Sequence, residues 1–187
     1  MCNISFTSKF VPMTLSDFAN RTSSFNRDNL VDYPWTPASS KVAKDVFTYR
    51  VCDCSAALVT DGEKALLMHF VPSNEKNHDF KQIIKLIANN FDMNNSGRMQ
   101  AVLVGAKPYS ESIDVFNIFR YVFDKLKMPT TILYNGKGAT NIAYRTCTDE
   151  VYISNFHIDK SLKKGKSAIE AINSGFEKAE LSEADEV

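Results

Sequence analysis

Residues 48–72 read TYRVCDCSAALVTDGEKALLMHFVP: two runs rich in apolar residues on either side of Asp61-Gly62. That dipeptide favours a type I′ turn, because both central residues of such a turn need positive φ. A two-residue loop there pairs Thr60 with Glu63, and each step outward adds one cross-strand pair until Cys54 stands opposite His69. Directly opposed residues of an antiparallel pair hold their Cβ atoms about 4.5–5.5 Å apart on one face. The spacing therefore predicts that a thiol and an imidazole meet, and a Cys–His pair is a candidate nucleophile and base. Ala57 and Val59 on one face, with Ala56 and Leu58 on the other, predict strands at about 54–59 and 64–71 that are buried on both sides.

Composition bounds the reading. The chain of 187 residues is 44% hydrophobic, enough for one well-buried core and cramped for two. Lys+Arg and Asp+Glu each number 22, so no global charge favours nucleic acid or an anionic membrane as partner. Cys2, Cys52, Cys54 and Cys147 show no repeated CxxC spacing, which argues against a disulfide framework and for a reducing compartment. Cys52, Cys54 and His69 supply three metal ligands at most, and CxC is not a usual structural-zinc spacing, so neither metal nor cofactor is expected. The start, MCNISFTSKF, lacks a basic flank followed by an apolar run. No apolar stretch approaches the roughly 20 residues that span a bilayer. The expectation is a soluble protein without a cleaved classical signal.

Along the chain, residues 1–45 mix Ser, Thr and Asn with spaced aromatics (Phe6, Phe10, Phe18, Phe25, Trp35) and show no sustained period. They are expected to form an irregular arm whose aromatics anchor it across the core. After the hairpin, Phe80, Ile83, Ile84, Ile87 and Phe91 recur at helical spacing. MQAVLVGA (99–106) is a buried strand, and Val115, Phe116, Phe119, Val122, Phe123 and Leu126 line one face of a helix over 112–127 that stops before Pro129. TTILY (130–134), IAYRTC (142–147) and VYIS (151–154) are strands, and a last helix is expected from about 166 to 181. His78 and His157 fall at a helix start and in a late loop, without a paired acid or thiol. NGKGATN (135–141) has glycines and a lysine but lacks GxxxxGK[ST] and enters a strand where a phosphate loop enters a helix. The order ββαβαβββα implies helices packed on a layered mixed sheet, an α/β fold. The chain divides into an arm (1–45), a core (46–155) and a carboxy-terminal helix with an acidic tail (156–187), all in one globular domain.

Thr48, Cys54 and His69, in the arrangement T-x5-C…HFVP, resemble the CheD chemoreceptor glutamine deamidases. LVGA (103–106) is similar to that family's Gly-Gly-Ala strand end, DVFNIFRYVFDKLKMPTTILYNGKG (114–138) to its Asn-bearing helix, strand and Gly-rich loop, and EVYI (150–153) to its final strand. Asn117 matches the helix asparagine. The likeness covers roughly 48–154, and the same Cys–His arrangement occurs in the deamidase domain of cytotoxic necrotizing factor and related bacterial toxins and effectors. The chain departs from the pattern in three respects: Cys52-Asp53 replace Gly-Ser, Val104 replaces a glycine, and the arginine after the Gly-rich loop is unmatched. These departures point away from chemoreceptors as substrate.

The resemblance implies a CheD-like fold and a Cys-dependent protein-glutamine deamidase, with Cys54 as nucleophile, His69 as base and Thr48 as orienting group. Its partner would be a protein bearing an exposed glutamine, with no nucleic acid or membrane involved. Six residues of straight strand span roughly 20 Å, so Thr48 reaches His69 only if residues 49–53 bend. Two other readings stand beside it: an inactive protein-binding scaffold, and a thiol protease or isopeptidase. Glu177, Glu180, Glu183, Asp185 and Glu186 cluster at the end as in carboxy-terminal export signals of some secreted bacterial effectors. The work is therefore placed in the cytoplasm or, after secretion, in a host cytosol.

Overall fold

A computed structural model describes residues 8–32, 38–72, 80–107, 110–135 and 138–175. In chain order these form β1 (Lys9–Pro12), α1 (Leu15–Thr22), β2 (Ala38–Ala43), β3 (Asp45–Val51), β4 (Ser55–Thr60), β5 (Ala65–Phe70), α2 (Phe80–Asn90), β6 (Gln100–Gly105), α3 (Ser110–Lys125), β7 (Thr130–Tyr134), β8 (Thr140–Arg145), β9 (Glu150–Asn155), α4 (Phe156–Lys163) and α5 (Ala168–Gly175). The fold is mixed α/β, with two mixed sheets where a single one was expected. One sheet runs β2-β5-β4-β6-β7 and the other β1-β9-β8-β3.

The two sheets share a core. Ala56, Leu58, Leu67, Val102 and Val104 from the five-stranded sheet pack with Val46, Ile142, Tyr144, Val151 and Ile153 from the four-stranded one. The other face of the five-stranded sheet takes Ile83 and Ile87 of α2 and Phe116, Phe119 and Phe123 of α3. Hence every residue of β4, β5 and β6 is buried, as continuous apolar runs between two layers require. The helical periods place α2 and α3 well, although Phe80 is 41% exposed and meets Tyr121 edge-on instead of joining the core.

The described parts of the amino-terminal segment, 8–32 and 38–45, form regular elements where an irregular arm was expected. β1 pairs parallel to β9, β2 pairs antiparallel to β5, and α1 starts on a Thr14 cap whose hydroxyl accepts the Asp17 N–H. Short edge strands carry little alternation of their own, and ASSKVA has almost none. The aromatics do anchor the segment: Phe18 and Phe25 are buried, and Phe25 meets Phe47 edge-on at 5.7 Å. Phe6 and Trp35 lie outside the described residues, as do His78 and the acidic tail. α4 replaces the expected late loop; Asn155 caps it, accepting the His157 N–H at 2.8 Å.

Candidate active site

The hairpin closes differently from the two-residue loop expected at Asp61-Gly62. Thr60 pairs with Ala65 and His69 with Ala56, so the loop is Asp61–Lys64 and His69 does not stand opposite Cys54. Asp61 Oδ1 accepts the N–H groups of Glu63 and Lys64, each at 3.0 Å, while Thr60 Oγ1 accepts the Gly62 N–H and donates to the Lys64 carbonyl. Gly62 alone of the central pair takes positive φ, at 88°. The shorter loop would have drawn Glu63 and Lys64 into a ladder buried on both faces, and desolvating two charges costs several kcal/mol. The shift amounts to two residues, and an even shift preserves faces. Cys54, one residue before β4, packs with Ala56, Leu58 and Leu67 between the two sheets, on the face of β5 that also bears His69.

Thr48 reaches His69 through the expected bend. The β3–β8 register slips between Thr48 and Val51, and Arg50 takes φ 55° while its N–H is accepted by Asn141 Oδ1 at 2.9 Å. Thr48 Oγ1 lies 2.9 Å from His69 Nδ1 and donates to the Val31 carbonyl at 2.5 Å. A hydroxyl has one proton, and the carbonyl can only accept. Thr48 must therefore accept from Nδ1–H, which assigns the tautomer and leaves Nε2 as the unprotonated nitrogen.

Cys54 is 3% exposed and His69 fully buried. Burial pushes the Cys54 thiol up to about 12, reinforced by Asp53 and Cys52 and opposed by its own backbone N–H. Burial also pushes the His69 imidazole down to about 4, against the pull of Asp32. At neutral pH both groups are uncharged, so the closed site holds a thiol and a neutral imidazole. The neighbouring Cys52 thiol is also raised, again chiefly by burial, and Cys147 is exposed.

Residues that the sequence did not single out hold the bend before Cys54. Asn135, fully buried at the end of β7, gives its Nδ2 to the carbonyls of Val51 (2.6 Å) and Cys52 (2.8 Å). Ser112, also fully buried, donates from Oγ to the Asp53 carbonyl at 2.9 Å. Gly105 passes so close that a Cβ there would lie 2.7 Å from Ser55 Oγ and 3.0 Å from the Cys54 carbonyl. In the sequence Asn135 opens NGKGATN, a segment whose glycines and lysine suggest only a phosphate loop. Asn117 sits half-buried on α3. Among the described residues, no three His, Cys, Asp or Glu side chains come together as metal ligands would.

A cavity of about 900 Å³ is lined by Leu15, Asp32, Tyr49, Arg50, Asn141 and Phe156 among others. Tyr49, Asn141 and Ser154 alternate with Thr48, Ile142 and Ile153, so it opens on the outer face of the four-stranded sheet. Neither Cys54 nor His69 lines it.

No protein-family model and no curated protein matches the chain. The chemistry of the site therefore rests on its own geometry.

Proposed function

We propose that the protein is a Cys-dependent protein-glutamine deamidase of a CheD-like or necrotizing-factor-like kind. The observation that carries this reading is the Val31 carbonyl–Thr48–His69 relay, which leaves Nε2 unprotonated on a residue that shares its sheet face with Cys54. In the reaction, the Cys54 proton passes to Nε2 as sulfur attacks the side-chain amide carbon of a partner's glutamine. The oxyanion that forms is met by backbone N–H groups at the bend, a donor worth about 10²–10³ in rate where one is lost. The Nε2 proton then goes to the departing nitrogen and ammonia leaves. Water, activated by the same imidazole, cleaves the thioester to glutamate and restores the thiol.

A thiol held near 12 yields its proton to an imidazole held near 4 only when bound substrate opens the site and stabilises the charges. That burial also favours a second reading, an inactive scaffold that keeps the fold to bind a protein. Among the described residues no helix is long and apolar enough to cross a membrane. We place the activity in a cytosol, the cell's own or a host's.

The test is the amide-to-acid mass change on glutamine peptides of candidate partner proteins, with ammonia release followed in parallel. Wild type should convert at least one glutamine, and Cys54→Ala and His69→Ala should each abolish conversion, since nucleophile and base act as a unit. Binding of a partner by wild type and Cys54→Ala alike, with every glutamine untouched, establishes the scaffold instead. Cleavage of the partner's backbone would mark a protease.

A further inference from the structure

Three consecutive backbone carbonyls lead into Cys54, and each is held by a buried side chain. Both protons of Asn135 Nδ2 are committed, to Val51 and Cys52, and its Oδ1 accepts from Thr140 Oγ1 at 2.8 Å and Asn155 Nδ2 at 3.3 Å. The amide thus makes all four of the hydrogen bonds it can make. Asn155 is itself tied to Thr140 at 2.9 Å and to the first turn of α4, so the clamp is anchored on β8, β9 and a helix. Ser112 Oγ, which holds the third carbonyl, accepts the Lys107 N–H at 2.9 Å and so links the bend to the loop after β6. In a trans peptide the N–H of one residue points opposite to the carbonyl of the residue before it. Fixing the carbonyls of Cys52 and Asp53 therefore aims the N–H groups of Asp53 and Cys54 away from Asn135 and Ser112. The Cys54 N–H belongs to the same residue as the attacking sulfur, so it is the donor nearest to the oxygen of the attacked carbonyl, where the oxyanion would form.

We propose that Asn135 and Ser112 are positioning residues that lock residues 51–53, so that the Cys54 thiol and backbone N–H are presented together to the amide under attack. This inference rests on Cys54 being the nucleophile. Neither residue touches substrate; both act through the backbone. Loosening the bend should have opposite effects on two properties of the same sulfur. A buried thiol becomes easier for a small reagent to reach, while turnover falls because thiol and N–H no longer share one geometry.

The variants are Ser112→Ala, Asn135→Ser and, as control, Tyr144→Phe, which removes the Tyr144 hydroxyl's bond to Asp149 at the other end of β8. Alkylation of Cys54 by iodoacetamide is followed by mass spectrometry on tryptic peptide 51–64, beside the thermal midpoint of each protein and its deamidation kinetics. Alkylation of Ser112→Ala and Asn135→Ser should run about tenfold faster or more than wild type, with Tyr144→Phe within about twofold. Their kcat should fall about tenfold or more with KM within about twofold. Should Asn135→Ser not fold, Ser112→Ala carries the test, since it removes a single oxygen. Alkylation unchanged in folded variants, or raised equally in Tyr144→Phe, overturns the clamp. A wild type inactive on every glutamine would defeat the deamidase reading and leave the alkylation result to decide the clamp by itself.

Discussion

Thr48 Oγ1 lies 2.9 Å from Nδ1 of His69 while giving its own proton to the Val31 carbonyl, 17 residues earlier in the chain. The relay fixes which imidazole nitrogen holds the proton in a place where water does not reach. Thr48→Ala should cost about 1–3 kcal/mol, the penalty of leaving buried polar groups unpaired. Thr48→Ser should restore most of it. Nitrogen chemical shifts of His69 report the tautomer directly: Nδ1–H in wild type and Thr48→Ser, and a mixed or reversed population in Thr48→Ala. Identical imidazole spectra in all three would remove the orienting role.

Stability should depend on pH through His69. Its imidazole is held at about 4 against an ordinary 6.5, so between those values the unfolded chain binds the proton and the folded one does not. The contribution is complete above pH 6.5, declines as pH falls through the window and is gone once pH has passed below about 4. Its size is on the order of 3 kcal/mol, at roughly 1.4 kcal/mol per pH unit. The urea midpoint of wild type should therefore drop more steeply between these pH values than that of His69→Gln. Equal slopes would contradict a neutral buried imidazole. Cys54 behaves as the mirror case, its contribution eroding as pH rises from 9 toward 12.

Gly105→Ala should be among the most damaging small substitutions. The residue has φ 151°, and the added methyl would press on Ser55 Oγ and on the Cys54 carbonyl. A short serine side chain gives way more easily than backbone does. A loss of about 2 kcal/mol or more is expected, with only partial recovery in Gly105→Ala/Ser55→Ala, where the carbonyl contact and the φ strain persist. Full recovery in the double variant would show that the serine clash was the whole effect. Chemical denaturation of the single and double variants distinguishes the two.

What the chain determined alone is whatever local pattern encodes. The recurrence of Ile83 and Ile87, and of Phe116, Phe119 and Phe123, set helices because that spacing gathers apolar groups on one face. TTILY forms a strand over Thr130–Tyr134, as its β-branched run predicts. Cys54 and His69 share a face because their positions about the turn have the right parity, which the two-residue register shift could not alter. The distance between them was a different matter. Which pair closes the hairpin depended on keeping Glu63 and Lys64 out of a sheet covered on both sides, and those covering layers come from distant segments. β1 and β2 exist because β9 and β5 offer edges to pair with, not because their own residues insist on it. Asn135 lies 84 residues from Val51, and no spacing in the sequence links the two. Only the packing of both sheets brings that amide beneath the bend, where carbonyls that leave the strand ladder take side-chain donors instead.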